Sequence, residues 1–413
     1  MEKLKPYPKY KAVDLPWLKE IPVHWEILRA KKLFSIFDER SKDGDESLLS
    51  VSSNYGVVNR NSIDVTMFKA ESYVGYKLCY PQDLVVNSLW AWAYGLGFSE
   101  QKGIISTAYS VYRLRNCQNT YYLYYNYLLR SSAYHWEFRI RSKGIWKSRY
   151  QLHDSSFMNI PIILPPPDEQ KKIVAFLDEK TAKIDKYIEA KHRYFELILE
   201  KLVSKIFRKS LSKKIASWSS LFPDKWERKQ VKRLFEEVSL KGFPEEELAA
   251  VTQDRGVVLK RDCSQNYVSP DGNYEKQKLI RPNDFVISLR SFEGGIEYSS
   301  VRGLVSSAYN IFCLREKYNN KEMIEFYRIM FKSKPFISLL NTFTNTIRDG
   351  KDISFKDISR VELPIPDKKF LNDFYKRVKI YRITVSNFEK IRKLLIEYKT
   401  RLISDAVTGK IKV

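Results

Sequence analysis

The chain is written twice. PVHWEILRAKKLF (22–34) returns as PDKWERKQVKRLF (223–235), and KLCYPQDLVVN (77–87) as KLIRPNDFVIS (278–288). GIISTAYSVYRLR (103–115) returns as GLVSSAYNIFCLR (303–315), and LPPPD (164–168) as LPIPD (363–367). The offsets are 201, 201, 200 and 199, and the first three blocks hold 17 identities in 37 positions. Ordinary residue frequencies would give roughly 2–3. Four blocks in one order at one spacing exclude coincidence, so the chain must fold as two like bodies.

Each copy follows one plan. Short runs rich in Val, Ile, Tyr and Ser, broken by Gly, Pro and Asn, predict strands: DLVVNSL and GIISTAYSVYRL, then DFVISL and GLVSSAYNIFCL. Helical stretches follow around 120–135 and 320–334, then a short strand into a proline cluster. Beyond the prolines the period changes. Apolar residues recur at Ile173, Leu177, Ile184, Ile188, Phe195, Ile198, Leu202 and Ile206. They recur again at Phe374, Val378, Tyr381, Val385, Phe388, Leu395, Tyr398 and Leu402. Spacings of three and four that sum to seven describe a helix with a coiled-coil seam. Neither stretch contains an interior Pro or Gly, so each predicts a helix of ~40 residues and ~60 Å. Gly409 is placed to terminate the second.

A helix that long cannot bury its stripe alone. Packing the two on each other is the economical arrangement, and packing each on its own globular domain is the alternative. The fold class is therefore α+β: two globular domains joined by two long antiparallel, coiled-coil-like helices. The boundaries expected are 1–165 and 213–365 for the globular domains, with spacer helices in 166–212 and 366–413.

Composition enters through charge. Lys plus Arg is 72 and Asp plus Glu is 49, a net charge of +23. The surplus is +7 over 1–167, +5 over 168–214, +3 over 215–366 and +8 over 367–413. An excess spread through every segment is a folded basic surface, and its natural partner is a polyanion such as nucleic acid. The N-terminus, MEKLKPYPKYKAVD, is too charged for a secretory signal, and no apolar run approaches ~20 residues. A cytoplasmic protein without a membrane partner is expected.

Catalytic chemistry lacks its residues. Cys79, Cys117, Cys263 and Cys313 are scattered without CxxC spacing, and the four histidines are equally dispersed, so no metal site is expected. Gly-rich nucleotide loops, HExxH and GxSxG are absent, and the prolines after Leu164 offer no donor for a flipped adenine. Pro167–Asp168 followed by Asp178, Glu179 and Lys180 imitates a nuclease pattern. Both acids fall on one predicted helix ~15 Å apart, where those of the first turn act as macrodipole partners.

The polar residues instead suit binding. In the first copy they are Asn54, Tyr55, Asn59 and Arg60, then Asn87 and Trp90, then Arg139, Arg141, Lys143, Lys147 and Arg149. In the second they are Gln253, Arg255, Arg290, Asn345, Arg348 and Lys351. Arg and Lys match guanine edges and phosphates, and Asn and Gln read adenine. The frames match while the segments between them diverge, as two readers of different sequences should.

With these features the chain resembles the specificity subunits of type I restriction–modification systems. The resemblance is carried by WLKEIPVHWE (17–26), the DLVV…GIIS…AY pattern, and LPPPDEQKKIVAFLDEKTAKIDKYIEAKHRYFELILEKLVSKI (164–206). It extends over essentially the whole chain, although the second copy reads LPIPDKKFLNDF (363–374) without Glu-Gln. It implies two target-recognition domains, each reading half of a split double-stranded DNA site. It implies an antiparallel spacer docking two modification subunits, with separate restriction and translocase subunits in the complex. S-adenosylmethionine, ATP and Mg would belong to those partners, with no cofactor in this chain. A stand-alone nuclease or methyltransferase with unfamiliar motifs is the alternative, and a coiled-coil scaffold that never meets DNA a third.

Overall fold

A computed structural model describes residues 5–62, 70–115, 120–144, 150–207, 218–263, 274–343 and 353–413. The chain divides into two compact units, 1–189 with 390–413, and 190–389.

The first unit is built on a four-stranded antiparallel sheet. Its strands, in spatial order, are Phe34–Phe37, Tyr109–Leu114, Leu84–Asn87 and Leu96–Phe98. Leu84, Val85 and Val86 are all buried because both faces of this sheet are covered. Leu84, Val86 and Tyr112 point into the main core, under the helices Tyr122–Leu129 and Ser132–Arg141. Val85 and Val111 point the other way, onto Leu49, Cys79 and Ile105 of two flanking strand pairs. Such a strand reads as a continuous apolar run, which is why DLVV does not alternate. Glu26–Arg29 pairs with Pro161–Leu164, tying the start of the frame to the proline cluster. A hairpin of Tyr10–Leu15 and Leu18–Pro22 lies ahead of it.

The second unit repeats the plan. Phe235–Val238, Asn310–Leu314, Phe285–Ile287 and Glu297–Tyr298 form the same four-stranded order. Phe285, Ile287 and Phe312 face the main core, and Val286 and Ile311 the smaller one. Helices Lys321–Met330 and Lys334–Asn341 cover it, and Glu227–Gln230 pairs with Glu362–Ile365. The repeated Pro-x-Asp is a tight turn in both units. Gln82 and Asn283 sit at φ 72° and 74°, and the carboxylates of Asp83 and Asp284 accept from the amides of Tyr80 and Arg281, both at 2.8 Å.

Behind the shared frame, interior partners have changed together. In the first unit Arg113 grips Asp83 with Nε at 2.8 Å and Nη2 at 2.9 Å. In the second, Cys313 stands in its place and Arg281 reaches Asp284 from the turn itself, at 3.4 Å. Tyr112 donates to Asp154 at 2.7 Å, whereas the corresponding Phe312 and Phe355 meet as rings 5.3 Å apart. A polar pair has been exchanged for an aromatic one.

The long helices are Pro167–Ile206 and Lys368–Val407, 40 residues each. Within the first unit, Ile173, Val174 and Leu177 enter the main core together with Leu402, Ala406 and Val407. Further along, Lys399 Nζ meets Asp185 at 2.7 Å. Within the second, Leu202 and Ile206 share the core with Leu371, Phe374 and Val378, and Phe195 packs on Phe388 at 5.4 Å. In each unit the two segments run antiparallel. The two packing arrangements both occur: helix ends bury in the globular cores, and the stretches beyond them pack on each other. The second helix stops as expected. Gly409 takes φ 76°, and a Cβ there would lie 2.5 Å from Pro22. No helix among the described residues is long and apolar enough to cross a membrane.

Candidate nucleic-acid interface

Three surface features collect the polar residues singled out above. The first is the turn between Leu49–Ser52 and Gly56–Asn59. Ser52 Oγ accepts from the amides of Asn54 and Tyr55 at 3.2 and 3.3 Å, and Gly56 takes φ 73° to close the turn. Tyr55 is left at the apex, 75% exposed. Arg130, at the junction of the two short helices, reaches beneath it. Its Nη2 donates to the carbonyls of Ser53 (2.7 Å) and Asn54 (3.0 Å), and its Nη1 to that of Leu96. Burial pulls the Arg130 guanidinium below its usual pKa.

The second unit builds the same turn from Thr252 to Gly256, again with φ 73° at the glycine. Arg255 replaces Tyr55, and its Nη1 leans on the carbonyl of Asp262 at 3.3 Å. Lys332 takes the place of Arg130 and donates to the carbonyl of Gln253 at 2.9 Å. It also meets Glu297 at 2.5 Å, a buried acid standing where the first unit has Gly97. A Cβ at Gly97 would fall 2.8 Å from the Gly56 Cα, so no side chain fits there.

Burial pushes the Glu297 carboxyl up to about 7, against the opposing pull of Lys332. Between its ordinary 4.5 and about 7, the folded unit keeps a proton that the unfolded chain has released. Stability of the second unit should therefore fall as pH rises through that window, by up to ~3 kcal/mol, and be flat above it. Urea midpoints at several pH values should show this slope in the native chain and lose it in Glu297→Gln.

The second feature lies at the other end of the first hairpin. Asn59 Oδ1 accepts the Asn61 amide at 2.9 Å, and Asn87 Oδ1 that of Leu89 at 3.2 Å. Tyr109 pairs with Asn87 across the sheet, and burial raises its hydroxyl pKa against the opposing pull of Ser50, Arg60 and Asn87.

The third feature is aromatic and basic. Trp90 is 54% exposed and stacks on Trp92 at 5.6 Å, with Tyr150 edge-on at 6.3 Å. An open depression of about 610 Å³ lies beside Trp136, Arg139, Lys143 and Tyr150. The basic run is not one loop: Arg139 and Arg141 lie on the helix Ser132–Arg141. Arg139 is exposed, but Arg141 Nε is held by the buried Glu137, which also accepts from Trp17 Nε1 at 2.8 Å. In the second unit Arg290 stands where the first has Trp90. Its Nε donates to Glu293 at 2.8 Å, and Gln253 Nε2 reaches the same carboxylate at 3.2 Å, so turn and loop adjoin. Lys147, Arg149, Asn345, Arg348 and Lys351 lie outside the described residues.

The sequence reading did not find Arg130, Lys332 or Glu297. A signal existed for the first two, since both are basic residues directly before a serine at the same place in the repeat. Two acids of the nuclease-like pattern have structural partners: Asp178 accepts from Tyr127 at 2.7 Å, and Glu179 pairs with Lys183. Among the described residues no group of His, Cys, Asp and Glu could hold a metal.

Residues 22–191 match the sequence model of the type I restriction modification DNA specificity domain. Residues 22–191 thus belong to the type I restriction–modification specificity family. No curated protein matches it significantly. A solved structure described for complex assembly and conformational transition of the type I R-M system aligns with 95% of this chain and 99% of its own. The identity is 14% and the TM-score 0.60, a likeness of fold. The HsdS subunit from Thermoanaerobacter tengcongensis aligns over 95% of this chain and 98% of its own, at 14% identity and a TM-score of 0.43. The specificity domain matched is the first copy, and the second repeats its frame strand for strand.

Proposed function

We propose that this specificity subunit reads a bipartite double-stranded DNA target, one half with each globular body. Residues 1–165 and 213–365 are its two target-recognition domains. The helical segments 166–212 and 366–413 set the gap between half-sites and dock two modification subunits. Restriction and translocase subunits join through that complex. The chain has no catalytic step of its own; S-adenosylmethionine, ATP and Mg belong to the partners, and the assembly works in the cytoplasm.

One observation carries this reading. The same frame occurs twice, and the residues exchanged between copies stand at exposed tips: Tyr55 against Arg255, and Trp90 against Arg290. Partner docking is supported by apolar side chains left in solvent on the long helices. They are Tyr187, Ile391 and Leu394 in the first unit, and Leu197, Ile380 and Ile383 in the second. Exposed apolar patches of this kind mark protein contacts. Mapping methylated adenines in DNA exposed to the assembled complex tests the proposal. Two short motifs at a fixed separation are expected, and methylation without sequence preference would refute it.

The spacer role has its own test. Inserting four residues between Lys201 and Leu202 adds ~6 Å of helix while nearly keeping the heptad phase. The methylated motifs should then stand one or two base pairs further apart, at ~3.4 Å per base pair. An unchanged gap with full activity would show that helix length does not set it.

A further inference from the structure

We propose that Arg130 and Lys332 are positioning residues for base readout, each fixing from beneath the hairpin turn whose apex, Tyr55 or Arg255, meets the bases of its half-site. The inference rests on the two-half-site reading above and adds to it which side chains read and what holds them.

The same bond is made in both units. Arg130 Nη2 donates to the carbonyl of Ser53, and Lys332 Nζ to that of Gln253, the corresponding residue. Around this bond almost everything else has changed. Arginine has become lysine, Gly97 has become Glu297, and the apex has gone from Tyr to Arg. The hydroxyl at the turn's start and the positive-φ glycine at its end remain: Ser52 and Gly56, Thr252 and Gly256. The holder is kept while the held residue is exchanged.

Such a holder is costly. In the first unit every acceptor of Arg130 among the described residues is a main-chain carbonyl, with no carboxylate to offset its desolvation. A neutral side chain would tie a surface turn with less penalty. A half-buried cation makes stronger, charge-assisted bonds, and Arg130 sends two to the turn and one to the edge strand Leu96–Phe98. Rigidity at that spot matters if the apex must meet a base edge within a few tenths of an ångström. Arginine at the apex suits guanine bidentately, whereas tyrosine offers one hydroxyl and a ring, so the two turns would prefer different bases.

The test uses the full chain assembled with its modification subunits and a duplex pool randomised at every position, with bound molecules sequenced. Tyr55→Arg should change the preferred base at one or two positions of a single half-site. Arg130→Met should lose about tenfold of discrimination at those same positions and leave the other half-site intact. Arg130→Lys, the residue used by the second unit, should restore most of it. A purely structural Arg130 would instead weaken every position alike, and that outcome overturns the proposal. So does a Tyr55→Arg variant whose preferences equal those of the native chain. If Arg130→Met does not assemble, Lys332→Met with Glu297→Gln removes the second holder without stranding a buried charge, and Arg255→Tyr marks the positions to compare. A native complex that selects no sequence at all refutes the DNA-reading function itself, which separates the two failures.

Discussion

Glu169→Ala should destabilise the first unit by about 3–5 kcal/mol, read as a lower urea midpoint for that unit's transition. The carboxylate lies in the first turn of a long helix and accepts three side-chain bonds from residues 144–162 positions earlier. Trp25 Nε1 and Tyr7 Oη donate to Oε2 at 2.9 Å each, and His24 Nε2 meets Oε1 at 2.6 Å. Trp25 and Tyr7 are buried, so truncation takes the acceptor away from two buried donors. Each lost bond to a charged acceptor is worth about 1.5–3 kcal/mol, and the exposed histidine adds little. Glu169→Gln keeps an acceptor and should cost about half as much. Burial pushes this carboxyl up, but the three donors outweigh it and hold its pKa below 4.5. A depressed carboxyl stabilises the fold at neutral pH, and that contribution is lost as pH falls through the folded value. The native chain should therefore lose stability in acid more steeply than Glu169→Ala. The second unit supplies a natural comparison. Lys368 replaces the glutamate, and the buried Trp226 Nε1 finds no acceptor among the described residues.

Exchanging 215–362 for the corresponding region of another specificity subunit should replace one half of the methylated target and leave the other half unchanged. The segment runs from ahead of the strand Glu227–Gln230 up to the first residue of Glu362–Ile365, the strand that pairs with it. It also contains the turn at Arg255 and the loop at Arg290, with the lysine and acids that support them. Methylome sequencing of cells carrying the chimera reads the result directly. A chimera that altered both half-sites together would contradict independent reading.

The repeat made the architecture legible because identical blocks mark what folding requires twice. The Pro-x-Asp turn, the heptad seam and the Gly409 stop all follow local rules of spacing and φ. What stayed hidden depends on long-range contact. Glu169 reads as a macrodipole acid from its position, yet its partners come from the far end of the frame. Arg141 reads as a surface base, but a buried acid one turn earlier holds it. Asn87 and Trp90 were visible because loops after apolar strands are exposed; the cation beneath the neighbouring turn was not. No local pattern announces a half-buried arginine bonded only to carbonyls.

The matched substitutions inside the two frames bear on how such chains recombine. Tyr112 with Asp154 and Phe312 with Phe355 are alternative solutions, as are Arg113 with Tyr80 and Cys313 with Arg281. A crossover within a copy would mix them, leaving an aspartate against a phenylalanine or a buried acid with no guanidinium. A crossover at the LPPPD and LPIPD blocks lies beyond both partners of every such pair and moves them as sets. Exchange at those short, closely matched stretches should therefore move whole frames without loss of stability, whereas exchange inside a frame should cost it.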